Sequence, residues 1–219
     1  MTRYKKQDPE ITRRKFINVA MGTGAGVGVL SLVSALGSAK PAFRLTAEKA
    51  PPLKGDVLVH ADPAKYGQPI KPSELTELAI VAYPMGKAKD GTPVIRSAEP
   101  NNQIGVYKFD PAQLKAPTKI EDTDNGIVAY SNTCTHAGCF PKSVQGSAIV
   151  NCPCHSGQYE PKEGCRVLGG PPNKPMPQLG VKAQGDQLVL TSSFLTSPYG
   201  YKSDEEWEAY LKQAEELLA

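Results

Sequence analysis

Four of the five cysteines and two of the three histidines of this chain fall within 22 residues. They sit in two short runs, Cys134-Thr135-His136-Ala137-Gly138-Cys139 and Cys152-Pro153-Cys154-His155-Ser156-Gly157. Cys-x-His in one run and Cys-x-x-His in the other offer two thiolates and two imidazoles, a donor set that suits tetrahedral zinc or iron-sulfur chemistry. Each run also carries one further cysteine, Cys139 and Cys154. A zinc-binding structural module is one reading of these residues and a redox centre is the other.

Loops of this kind need a rigid frame, and the surrounding sequence describes one. Short apolar or alternating runs recur at residues 56–60, 78–83, 103–109, 126–132, 148–151 and 187–191, separated by clusters of Gly, Pro, Asn and Asp. That pattern predicts an all-β domain over 54–200, an antiparallel sandwich or barrel with the ligand loops projecting between strands. Residues 99–114 around Pro111 and the acidic turn at 121–124 read as surface connections. A tail over 201–219 opens with Ser203-Asp204-Glu205-Glu206, a capping-box signature. Trp207, Tyr210, Leu211, Ala214, Leu217 and Leu218 follow at helical spacing, which predicts an amphipathic C-terminal helix. His60 closes the run Val57-Leu58-Val59 far from the cysteines and reads as a surface or structural histidine. Cys165 reads as a small buried hydrophobe.

The N-terminus sets the compartment. Residues 1–15 hold six Lys/Arg and two Asp/Glu, so of 25 basic and 22 acidic residues the remainder keeps 19 and 20. A basic excess confined to a short arm excludes a nucleic-acid partner, which would need a basic face on the folded domain. Thr12-Arg13-Arg14-Lys15-Phe16-Ile17 reads as a twin-arginine export signal. The 24 residues from Phe16 to Ala39 contain no charge, and at 1.5 Å per residue they are long enough to cross a hydrocarbon core of about 30 Å. The expectation is a cytoplasmic tail over 1–15 and a single-pass transmembrane anchor over 16–39. Beyond them come a hinge linker over 40–53 and everything else on the outer, periplasmic side of a bacterial cytoplasmic membrane. Gly37-Ser38-Ala39 would also serve as a cleavage site.

C-T-H-A-G-C, and C-P-C-H followed by a tyrosine, resemble the Rieske family, specifically the iron-sulfur subunit of cytochrome bc1 and b6f complexes, and the resemblance covers most of residues 52–195. It implies one [2Fe-2S] cluster per chain, with Cys134 and Cys152 on one iron, His136 and His155 on the other, and a disulfide between Cys139 and Cys154. Histidine in place of cysteine on one iron raises the reduction potential. Gly169-Gly170-Pro171-Pro172 is similar to the family's proline-rich loop, which covers the cluster, and Tyr159 stands where a tyrosine hydroxyl bonds the sulfur of the first cysteine, here Cys134. Two positions depart from the pattern. Gly157 replaces a serine that bonds a bridging sulfide in high-potential members, which predicts a lower potential and a menaquinol-type protein. Ala137 replaces a leucine, leaving His136 more open.

The implied activity is quinol oxidation, with His136 and His155 as the groups that meet quinol and the head swinging on the linker from cytochrome b to a c-type cytochrome inside a dimeric complex. Another reading of the resemblance is the small Rieske subunit of a molybdenum enzyme such as arsenite oxidase.

Overall fold

The computed structural model describes residues 45–218 together with residues 15, 17–19 and 21. The chain divides into two units, Met1–Arg44 and Leu45–Ala219. In the first, the five described residues are helical and exposed; the rest of the expected signal and anchor lies outside the described residues. Among the described residues no helix is long and apolar enough to cross a membrane.

The second unit is built from β1 (Val57–His60), β2 (Ile80–Lys87), β3 (Pro93–Ile95), β4 (Ile104–Lys108), β5 (Ile127–Ser131), β6 (Lys142–Ser143), β7 (Val150–Asn151), β8 (Gln158–Glu160), β9 (Arg166–Gly169), β10 (Gln178–Gln184), β11 (Gln187–Phe194) and the helix α1 (Asp204–Leu218). Six strands close into an antiparallel barrel in the order β1-β11-β10-β5-β4-β2, with β1 pairing back onto β2 and β3 extending β2 at one edge. Between a sandwich and a barrel, closure of β1 on β2 decides for the barrel and removes an open edge. A second sheet, β6-β7-β8-β9, carries the cysteine loops.

β4 and β5 join the two sheets because they are buried on both faces. Ile104, Val106, Ile127 and Ala129 point into the barrel with Leu58, Leu179, Val181 and Leu190. Their neighbours Tyr107, Val128 and Tyr130 point the other way, into a core with Cys134, Val150, Cys152, Tyr159 and Met176. Period-two alternation thus serves two cores at once, and the strands read as nearly continuous apolar runs. The ligand loops rest on the far face of the barrel wall.

The tail forms the expected helix, and its stripe packs on its own domain: Trp207 and Ala214 are buried, and the Trp207 indole donates to the Phe194 carbonyl at 3.0 Å. Leu217 turns outward at 40% exposure. The cap departs from a full capping box. Ser203 Oγ accepts from the Glu206 amide at 3.3 Å, but the Glu206 carboxylate reaches the Lys202 amide, one residue earlier than Ser203.

His60 is structural and buried, 5% exposed, with Nε2 3.2 Å from Glu74 Oε2. The Lys71 amide, Lys65 and His60, in that order, hold the Glu74 carboxyl at about 2, below its ordinary 4.5. A depressed folded value means these contacts stabilise the protein above about pH 4.5 and lose that contribution as pH falls toward 2. The melting temperature of the wild type should therefore exceed that of Glu74→Gln at neutral pH, and the difference should vanish near pH 2.

Candidate metal centre

Two loops present the cysteines, the first between β5 and β6 and the second between β7 and β8. Both close in the same way: the Cys134 amide donates to the Cys139 carbonyl at 2.8 Å and the Cys152 amide to the Gly157 carbonyl at 2.7 Å. Each loop of six residues points its leading cysteine inward and carries its histidine on the outside. Cys134 and Cys152 are each 1% exposed, whereas His136, Ala137 and His155 are exposed. The two imidazoles lie edge to face with centroids 4.7 Å apart. A disulfide between Cys139 and Cys154 ties the loops together.

The sulfurs of Cys139, Cys152 and Cys154 lie within 4.8 Å of one another, but two of them are bonded together, so Cys152 is the donor this trio retains. Burial, above all, pushes the Cys152 thiol up, and the neighbouring Cys134 adds to it, while the amides of Cys154 and His155 act in the opposite sense. Two adjoining buried sulfurs suit a positive centre that would hold both as thiolates. With two imidazoles above them, the donor set fits a cluster with a sulfur-bound inner iron and a nitrogen-bound outer one.

Tyr159, on β8 and fully buried, places its hydroxyl 3.1 Å from Cys134 Sγ. The same oxygen accepts the Thr135 amide at 3.2 Å and lies 3.3 Å from Thr135 Oγ1. Thr135 Oγ1 gives its own proton to the Lys174 carbonyl at 2.7 Å. The phenolic proton is then free to point at the sulfur, where an ionised acceptor makes the stronger bond. Burial pushes the Tyr159 hydroxyl far up, keeping it a donor. Thr135 and Lys174 were missed as site residues. Thr135 lies inside the motif, but the sequence does not reveal that it bridges to the third loop.

That third loop joins β9 to β10 and closes on the second. Gly170 has φ +83, and a Cβ there would meet the Ser156 carbonyl oxygen at 2.7 Å; a Cβ on Gly157 would meet Pro172 Cγ at 2.7 Å and Cys152 Cβ at 3.6 Å. Pro172 is buried against Gly157, while Pro171 and Gly170 are exposed. The first loop is covered by Tyr199, a residue with no motif around it. At Gly138, φ is +74 and a Cβ would lie 2.5 Å from the Tyr199 ring. Gly138→Ala should cost about 2–3 kcal/mol, from the left-handed backbone and the displaced ring together, measured as a shift in the denaturant midpoint.

Cys165 lies fully buried beneath the site with Tyr107 and Tyr130, and burial pushes its thiol well up. It is the inert core cysteine its sequence context suggested.

Comparison with known proteins gives the family of this motif. Residues 103–191 match the model of the Rieske [2Fe-2S] domain family. Over 150 residues the chain is 31% identical to a cytochrome bc1 complex Rieske iron-sulfur subunit of Streptomyces lividans, covering 67% of this chain and 85% of that protein. It is 36% identical over 86 residues to a Haloferax mediterranei protein named as a Rieske subunit of a respiratory nitrate reductase, covering 39% of this chain and 39% of that one. Among solved structures, the plasma-membrane Rieske protein PetC3 of Synechocystis PCC 6803 aligns with a TM-score of 0.32 and 20% identity, over 50% of this chain and 86% of that one.

Proposed function

Since the chain belongs to the Rieske [2Fe-2S] protein family, we propose that it takes electrons from quinol, specifically menaquinol, and passes them to a c-type cytochrome as the iron-sulfur subunit of a dimeric bc-type complex. The observation that carries this reading is the split between buried Cys134 and Cys152 and exposed His136 and His155. In it, the two cysteines hold the inner iron and the two histidines the outer one. When bound, the cluster supplies a one-electron centre whose charge sets the acidity of the imidazoles attached to it. The exposed ring nitrogen of His155 or His136 then accepts the quinol's hydrogen bond and its proton, while Tyr159 orients Cys134 and Pro172 excludes water from the second loop.

In this reading residues 1–15 are a cytoplasmic tail and 16–39 a single-pass anchor in a bacterial cytoplasmic membrane, with the Rieske head outside. Similarity to the Streptomyces lividans subunit over 85% of its length supports the bc-type assignment. The Haloferax likeness supports a second reading, a Rieske subunit of another oxidoreductase such as a molybdenum enzyme. Affinity purification of the full chain from its native membranes separates the two. A b-type haem protein recovered in stoichiometric amount supports the first, and a large molybdenum protein without b haem supports the second.

Gly157 carries the menaquinol part. Lacking a serine hydroxyl, the site should titrate in the lower half of the family span of about −150 to +300 mV. Pro172 occupies the space a side chain would need, so Gly157→Ser alone should destabilise the domain by about 1–3 kcal/mol. Combined with Pro172→Ala, which removes the obstructing ring atoms, it should raise the midpoint by about 50 mV, the equivalent of one net hydrogen bond to the reduced form. An unchanged midpoint in the double variant would remove the argument from Gly157.

A further inference from the structure

The stretch expected to link anchor and head is, from residue 45 onward, fastened to the barrel. Four consecutive carbonyls accept hydrogen bonds from four different places. Arg96 Nη1 donates to the Ala47 carbonyl at 3.0 Å and the Ala98 amide to Glu48 at 3.2 Å; the Tyr210 hydroxyl donates to Lys49 at 3.4 Å and Asn102 Nδ2 to Ala50 at 2.7 Å. The Thr46 carbonyl accepts from the amides of Lys49 and Ala50, folding the strap into a turn. Ala50 is fully buried, and Pro51, Pro52 and Leu53 follow it into the protein.

The donors are set in advance. Arg96, 2% exposed, is held by Asp56 through Nε to Oδ2 at 2.8 Å and Nη2 to Oδ1 at 3.2 Å, and Asp56 also accepts the Leu53 amide at 2.9 Å. Asn102, 3% exposed, spends its second proton on the Arg96 carbonyl at 3.0 Å. Tyr210 is steadied on α1 by Tyr201 and Trp207, with ring centroids 5.4 and 5.9 Å away. A buried ion pair and a buried amide thus present their remaining donors to the backbone of an irregular segment. Their common effect is to fix where the tether begins.

We propose that Arg96, Asn102 and Tyr210 form a clamp on the backbone of residues 46–50, so that the C-terminal helix and the barrel together set the working length of the tether between membrane and head. These are positioning residues and take no part in electron transfer. Docked, the five residues add a single turn to the tether. Released, they add up to about 18 Å at 3.3–3.6 Å per residue. Within the quinol-to-cytochrome reading above, that length decides which docking sites the head reaches.

Amide hydrogen exchange on the full chain tests the clamp without reference to that reading. Tyr210→Phe keeps the aromatic packing and removes one bond, and should speed exchange at Lys49 and Ala50 about fivefold; Asn102→Ala should do so by tenfold or more, with β4 and β5 amides unchanged. Equal exchange in wild type and both variants would overturn the clamp. Turnover of the assembled complex tests the length. Deleting residues 42–44 should lower it, and adding Asn102→Ala should restore most of the loss, whereas losses that simply multiply would overturn the length-setting role. A wild-type complex with no quinol-dependent turnover would instead defeat the quinol reading and leave hydrogen exchange to decide the clamp.

Discussion

Cys152→Ser should leave the purified chain without iron, without a visible-region charge-transfer spectrum and without a reduced-state paramagnetic signal, while Cys139→Ser should keep all three. Both residues sit within 4.8 Å of the same neighbouring sulfur, so proximity alone does not tell them apart. The difference is bonding. Cys139 is joined to Cys154 across a separation of 15 residues, and opening that link releases a loop constraint of about 3 kcal/mol without removing a metal ligand. Cys152 is a buried free thiol beside Cys134, and a serine there offers the inner iron a poor donor that gives up its proton reluctantly. Iron analysis, absorption and thermal denaturation of the two variants check the assignment together. Retention of iron by Cys152→Ser and its loss in Cys139→Ser would reverse the roles of the two cysteine pairs.

Tyr159→Phe should lower the midpoint potential by about 50 mV while leaving the cluster in place. The hydroxyl lies 3.1 Å from Cys134 Sγ, and because it accepts the Thr135 amide while Thr135 Oγ1 donates to the Lys174 carbonyl, its phenolic proton is available to that sulfur. A hydrogen bond to sulfur stabilises the more negative reduced form, and a net value near 1–1.5 kcal/mol converts to roughly 40–65 mV for one electron. Tyr159 is also a core ring packed among Val150, Cys152 and Cys165, which phenylalanine preserves, so stability should change far less than potential. A redox titration showing no shift would mean that the hydroxyl serves Thr135 rather than Cys134.

The metal centre was the most legible part of this sequence. Four cysteines and two histidines crowded into 22 residues declare donor chemistry by type and spacing, and the resemblance they carry named the disulfide that the structure contains. The barrel was legible where a strand has strong residues of its own. Each of the six runs read as strands overlaps one, wholly as at Val57–His60 and Ile127–Ser131, while β2 and β11 run on to Lys87 and Phe194, beyond their predicted ends. β10 was missed because Gln178-Leu-Gly-Val-Lys-Ala-Gln is interrupted by Gly180 and Lys182, and its strand character comes from its partners β5 and β11. β3, β6, β8 and β9 are two to four residues long, and none has three consecutive apolar residues such as the Val57-Leu58-Val59 or Ala148-Ile149-Val150 that mark the equally short β1 and β7.

Hidden were those contacts between distant segments that the resemblance does not imply. Tyr199 over Gly138 and Pro172 against Gly157 are long-range pairings that no local pattern encodes. The clamp on residues 46–50 was hidden for a different reason. Its targets are backbone carbonyls, and a segment held by its backbone can keep the composition of a linker.

In the proposed centre, Cys134, His136, Cys152 and His155 hold a [2Fe-2S] cluster. Iron, acid-labile sulfide and zinc analysis of the purified full-length chain, combined with paramagnetic resonance of the dithionite-reduced protein, tests it most directly. Two irons and two sulfides per chain are expected, as the Rieske [2Fe-2S] domain requires, with a reduced-state signal that shows coupling to two histidine nitrogens and loses it in His136→Ala and His155→Ala. One zinc per chain, no sulfide and no signal would rule the cluster out and return the same four residues to a structural zinc site.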